Sequence, residues 1–426
     1  MRVKLAYGKR GLWVELPDRN VTVVEPQYVP GLADEATAIR TALRQPLGAP
    51  PLHDLVHPED TVAVVFSDIT RPQPRERMLP VLLEEIGHVP RQNIVLINAL
   101  GTHRPNMPEE LAGMLGRDIV DNYRVVQHDA WDQANLTRVG RAARGHDISI
   151  NSDYMRARIK ILTGFIEPHF FAGFSGGPKA VLPGLADQRT VLANHDATMI
   201  AEPRATWGVT AGNPIWEEMV QAALLTRPTF LLNVTLNRDK QITGVFAGDL
   251  LQAHAAGCQF AGSAALVAVP EPFDIVITSN SGYPLDLNLY QAVKGMSAAA
   301  QVVKPGGSII VAAECWDGIP AHGEYGRLLQ MAQSPEEMLS LIQGFAPVRQ
   351  DQWQVQIQAQ IQAQADVYVK SDYLDEATLR HAMLHACTSI EETVAQLLQR
   401  YGPKARICVL PEGPMTIPYV SSGQAG

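Results

Sequence analysis

The chain has 426 residues, too many for one ordinary core, so two domains are expected. Its composition is that of a globular protein, and a formal net charge of −9 leaves no basic excess to cover nucleic-acid phosphates. No apolar run is long enough to span a bilayer, and the four cysteines at 258, 315, 387 and 408 stand alone, which argues against a zinc-thiolate site or a disulfide framework.

From the N-terminus, "MRVKLAYGKRGLWVEL" alternates and turns. That predicts a β-hairpin rather than a signal peptide, and with it a cytoplasmic protein. "TVAVVF" (61–66) is a buried-strand run followed by the polar loop "SDITRPQP" and the helical stretch "RERMLPVLLEEIG". "NIVLINAL" (93–100) is a second such strand, with the loop "GTHRPN" and the helix "MPEELAGMLG" behind it, and "YRVVQHD" is a third. Strand, loop and helix in repeated order predict parallel strands covered by helices, which bind ligands at the carboxyl ends of the strands. "DISINS" and "ARIKILTGF" are expected to continue this sheet.

"LADQRTVLANHD" begins as a helix, and "NPIWEEMVQAALL" starts one with Asn213 as N-cap and Pro214 at the first helical position. "TFLLNVTLN" and "QITGVFAGD" read as paired strands, followed by the helix "LLQAHAAGCQFAG". A fresh block opens near 266: strand "FDIVITS", helix "LNLYQAVKGMSAAAQVV", turn "KPGG" and strand "SIIVAAE". The fold class is therefore α/β, with an N-terminal domain over 1–265, to which 403–426 could return, and a C-terminal domain over 266–402. The run "WQVQIQAQIQAQA" reads as a surface helix and the tail "SSGQAG" (421–426) as disordered.

"PHFFAGFSGGPK" (168–179) has the look of a phosphate loop. It fails as a Walker loop, because Pro178 precedes Lys179 and Ala180 follows it, and it lacks the Rossmann glycine spacing. A turn at Gly176 and Gly177 with a cation beside it remains. His103, His169 and His195 all fall at strand or loop ends; singly each reads as structural, but together they offer proton exchange near neutral pH or metal ligation. Asp68 and Arg71 share one ligand-side loop, where arginine could clamp a carboxylate or simply pair with the aspartate. Tyr290, Gln291 and Lys294 lie on one helix, the last two on one face. His381 and His385 have metal-compatible spacing, but no zincin glutamate accompanies them.

Taken together, "SDITRP", "GTHR", "PHFFAGFSGGPK", "NHD" and "YQAVK", in this order and at these intervals, resemble the nickel-dependent lactate racemase family over nearly the whole chain. The resemblance implies a two-domain α/β protein with its site in the inter-domain cleft. It implies a nickel-pincer nucleotide, a nicotinate-derived mononucleotide holding nickel by sulfur, carbon and sulfur. Lys179 would tether this cofactor as a thioamide and His195 would complete the nickel ligands. His103 and His169 would be the two acid/base groups, and Arg71, Gln291 and Lys294 would position the substrate. Asp68, Gly176, Gly177, Tyr290 and Trp353 would lie near the cofactor. The expected activity is inversion of the α-carbon of a small 2-hydroxy acid by reversible hydride transfer, after loading by cofactor-biosynthesis enzymes.

Two residues depart from the family pattern. Ile69 stands where "SDHTRP" has histidine, which suits a larger or more apolar acid than lactate, and Pro178 stands where a basic residue is usual. Two other readings are a zinc-type hydrolase using the histidines with Glu167, and a non-catalytic carrier of a nucleotide cofactor.

Overall fold

The computed structural model describes residues 1–321 and 323–421. The tail expected without fixed structure lies outside them except for Ser421. The chain divides into two compact units, one of Tyr28–His195 with Glu202–Ser263, the other of Met1–Gln27, Asp196–Ala201 and Ala264–Gly426.

The unit containing Tyr28–His195 is built on a six-stranded sheet. Its order is Ile242–Gly248, Phe230–Leu236, Ile159–Phe165, Val62–Ser67, Ile94–Ala99, Arg124–Gln127. Only the first pair is antiparallel. The interior strands are runs of buried Val, Ile, Leu and Phe, as a sheet covered on both faces requires. From Val62–Ser67 the chain first adds strands on one side, then returns to add Ile159–Phe165 on the other. A topological switch point therefore lies between these two neighbours, and their carboxyl ends open the loops 68–74 and 166–176. "DISINS" does not continue this sheet. It forms Asp147–Asn151, an antiparallel partner of Leu136–Arg141 in a separate hairpin.

Local signals explain several elements. Asn213 caps Pro214–Leu225 by accepting hydrogen bonds from the N–H groups of Ile215 (3.1 Å) and Trp216 (3.3 Å). Such a cap contributes about 1 kcal/mol.

The other unit carries a second six-stranded sheet, in the order His385–Ala386, Asp366–Lys370, Val303–Ala312, Phe273–Ser279, Ile407–Leu410, Val21–Val23, all parallel. This places the first 27 residues, expected with the N-terminal domain, in the C-terminal unit. Val21–Val23 is an edge strand on Ile407–Leu410, which itself pairs with Phe273–Ser279, so the described residues 403–421 stay with the C-terminal unit. The N-terminal hairpin forms as expected, with Val3 opposite Val14 and Leu5 opposite Leu12. "KPGG" is not a free turn but the irregular start of the strand Val303–Ala312.

The glutamine-rich helix Gln352–Gln362 is buried, not on the surface. Its amides reach backbone carbonyls: Gln354 donates to Tyr290 (2.5 Å), Gln356 to Ala197 (2.8 Å) and Gln358 to Ala382 (3.0 Å). Each such bond removes the cost that would keep an amide in water. His381 ends the helix Glu376–His381 while His385 begins a strand, so the pair shares no helix face. No helix among the described residues is long and apolar enough to cross a membrane.

Candidate active site

The loop after Val62–Ser67 is fixed from beneath by Arg75. This buried side chain donates from Nε to the Ser67 carbonyl (2.6 Å), from Nη1 to Gln73 (3.0 Å), and from Nη2 to Asp68 and Arg71. Burial lowers its guanidinium to about 10, which leaves it charged. Gln73 ties the same loop to the sheet through the Ser67 N–H (2.8 Å) and the Thr163 hydroxyl (2.7 Å). Neither Arg75 nor Gln73 stood out in the sequence, because their work is done on backbone carbonyls and neighbours that only folding supplies.

This scaffold presents Asp68 to His103 on the adjoining loop, with His103 Nδ1 2.7 Å from Asp68 Oδ2. Burial opposes ionisation of Asp68. The His103 hydrogen bond, the charges of His103 and Arg71, and the Thr70 hydroxyl outweigh it and hold the carboxyl below its ordinary range. Nδ1–H therefore donates to the carboxylate, so whenever the ring is neutral its lone pair is on Nε2. Ile69 is exposed on this loop.

The stretch after Ile159–Phe165 forms a short hairpin in which His169 pairs with Gly173. Phe171, which no sequence signal marks, gathers three of the candidate residues. Its ring centroid lies 4.6 Å from that of His169 and 5.2 Å from that of His195, and Lys179 Nζ lies 5.5 Å from it. The Phe171 carbonyl accepts from Asn213 Nδ2 at 2.9 Å, so the helix cap also holds this ring's backbone. The Ala172 N–H reaches His169 Nδ1 at a long 3.4 Å.

His195 follows the last turn of Gln188–Asn194 and is buried. Its Nδ1 lies 2.9 Å from the Val191 carbonyl and must donate to it, which puts the ring's lone pair on Nε2. A backbone carbonyl behind one nitrogen is how a metal-ligating histidine is commonly oriented.

Lys179 lies in the one-turn helix Gly177–Ala180, with Pro178 near its start, where a fixed φ suits the turn. Gly176 (φ 75°) and Gly177 (φ 51°) both need the left-handed region. The Gly177 N–H is not directed to an outside anion, since it donates to Asn233 Oδ1 at 2.8 Å. The Lys179 loop is joined to the His103 loop by the Gly101 N–H, 3.0 Å from the Gly184 carbonyl.

In the C-terminal unit, Tyr290, Gln291 and Lys294 form the half-buried face of the otherwise buried helix Leu289–Ala300. Trp353 Nε1 donates to the Tyr290 hydroxyl at 3.2 Å, a pairing across 63 positions that the sequence could not display. Among the described residues, no group of three or more His, Cys, Asp or Glu could hold a metal ion. The zinc-type hydrolase thus lacks a donor set among the described residues.

Residues 7–208 match the family described as lactate racemase N-terminal domain, and residues 269–417 the lactate racemase C-terminal domain. A lactate racemase of Lactiplantibacillus plantarum is 36% identical over 418 residues, covering 96% of this chain and 98% of that protein. One from Thermoanaerobacterium thermosaccharolyticum is 35% identical over 418 residues, covering 96% of this chain and 97% of its own. The solved lactate racemase apoprotein from Thermoanaerobacterium thermosaccharolyticum superposes with a TM-score of 0.93 at 34% identity, covering 98% of this chain and 100% of that one. A Thermotoga maritima protein shares the fold at a TM-score of 0.70 and 17% identity, covering 92% of this chain and 100% of that one.

Proposed function

The chain belongs to the lactate racemase family and is an isomerase, and on that premise we propose that it inverts the α-carbon of a 2-hydroxy acid using a nickel-pincer nucleotide. The observation that carries this reading is His195, with its lone pair on Nε2, sharing the Phe171 ring with Lys179 and His169. A single imidazole cannot retain nickel by itself. It fits a metal that an organic ligand already holds on its other sides. Lys179, half-buried beside the same ring, fits the amine that would carry that ligand.

When bound, the cofactor supplies a carbon that accepts and returns a hydride. The protein's share is to hold the acid and move its hydroxyl proton. Removing the α-hydrogen as a proton would build a second negative charge beside the carboxylate, which is why a hydride route is favoured. His103 takes or returns the proton at Nε2, with the Asp68 carboxylate facing the imidazolium as it forms. His169 serves the other enantiomer, whose hydroxyl points away from His103. Arg71 on the first loop holds the carboxylate by parallel hydrogen bonds while the keto group turns. Gln291, Lys294, Tyr290 and Trp353 keep the positioning roles that the family resemblance implies, and location in the cytoplasm is part of the same reading.

The test is to co-produce the protein with the cofactor-making enzymes, weigh the intact chain and measure nickel. Enantiopure 2-hydroxy acids are then followed by chiral chromatography. Nickel, added mass at Lys179 and interconversion of at least one acid are expected, with Ile69 favouring acids more apolar than lactate. Absence of both metal and added mass would refute the proposal. Retained cofactor with no exchange of any acid would favour the non-catalytic carrier.

A further inference from the structure

Behind the "SGGPK" turn lies a buried group that the proposed chemistry leaves unused. His254, on the helix Leu250–Ala265, has Nε2 2.8 Å from the Ser175 carbonyl and Nδ1 3.2 Å from Cys258 Sγ. Its ring stacks on Trp216, with centroids 4.8 Å apart. A carbonyl can only accept, so Nε2 carries the proton, and the Cys258 thiol donates to Nδ1. One tautomer of a neutral imidazole is thereby selected.

The turn in front of it cannot hold its own shape. Gly176 and Gly177 are consecutive and both at positive φ, and glycine visits the alternatives to that conformation at little cost. Neighbouring side chains make the choice. A Cβ on Gly177 would lie 2.4 Å from His254 Cδ2, so the imidazole is packed directly on the backbone. A Cβ on Gly176 would lie 2.6 Å from Asn233 Oδ1, the same atom that accepts the Gly177 N–H at 2.8 Å. The chain enters its one-turn helix at once, with the Lys179 N–H on the Gly176 carbonyl at 3.1 Å.

We propose that His254, locked by Cys258 and Trp216, is a positioning residue that sets the turn presenting the Lys179 amine, with Asn233 as its partner on the other side. The proposal rests on the reading of Lys179 as the reactive amine and adds the residues that hold it. His254 touches neither substrate nor cofactor in this role. Its N–H holds the Ser175 carbonyl, which would otherwise be buried without a partner, and its ring closes the space into which Gly177 would relax.

Trace acetylation of the cofactor-free protein with acetic anhydride across a pH series, read by peptide mass spectrometry, tests this without any turnover. Lys240 and Lys304 are the reference lysines. In the wild type, Lys179 labelling relative to these references sets the baseline. His254→Phe, which keeps a flat ring but loses the donor, should change Lys179 labelling at least about threefold relative to the references, since small misplacements of a reacting group are felt strongly. His254→Gln, long enough to reach the Ser175 carbonyl, should restore the wild-type profile. His254→Asn, equally polar but too short, should not, and it decides the matter if the phenylalanine variant does not fold. Folded His254→Phe or His254→Asn protein with the wild-type Lys179 profile overturns the positioning role. Protein co-produced with the cofactor-making enzymes whose Lys179 is still acetylated instead overturns the reading of Lys179 on which the proposal rests.

Discussion

Replacing Asp68 by asparagine tests the acid/base pair most directly, because it removes a charge and almost no volume. The carboxylate is 2.7 Å from His103 Nδ1; its side chain is 3% exposed and that of His103 43%. The amide oxygen of the replacement can still accept the ring N–H, so orientation survives, but no negative charge then faces the imidazolium. A hydrogen bond to a charged group contributes about 1.5–3 kcal/mol. The exposure of His103 favours the lower end, about 1.5–2 kcal/mol, or roughly 10- to 30-fold in rate. Two enantiomers are equal in free energy, so kcat/KM must fall by the same factor in both directions. The assay is initial rates from each pure enantiomer by chiral chromatography, on cofactor-loaded enzyme with nickel measured alongside. Asp68→Asn with full nickel content and rates within about twofold of wild type would refute the claim that Asp68 acts through His103.

His195→Ala should lose nickel from co-produced protein while remaining folded, read by metal analysis and circular dichroism. His103→Ala and His169→Ala should each abolish interconversion and keep nickel; normal turnover by either variant removes that histidine from the proton transfer. Stability should decline in acid in two stages, measured by urea unfolding at stepped pH. Burial holds His254 near a pKa of about 4, below the ordinary histidine value. The unfolded chain therefore binds the extra proton first, and roughly 3 kcal/mol is lost as pH falls from about 6.5 to about 4. Asp68 is held below the ordinary carboxylate range, so its contribution is intact above that range and is lost at lower pH still, as its folded value is crossed. A flat stability between about pH 6.5 and 4 would contradict the buried neutral imidazole.

Much of this protein is written locally. Apolar runs such as "TVAVVF" and "NIVLINAL" favour covered strands, and Asn213 with Pro214 is a helix-start signal, and each forms as the signal indicates. Motif order carried the family resemblance, because those loops must follow particular strands to present Asp68, His103, His169 and Lys179 near the carboxyl ends of a sheet. What tertiary structure alone decided is what depends on partners far along the chain. Val21–Val23 is too short to announce its sheet, and only its pairing with Ile407–Leu410 places it. The glutamines of Gln352–Gln362 read as solvated until carbonyls from residues such as Ala197 and Ala382 receive their amides. The glycine turn reads as an open cradle until Asn233 and His254 fill it from behind, since a hydrogen bond's second half is invisible in the residue that makes the first.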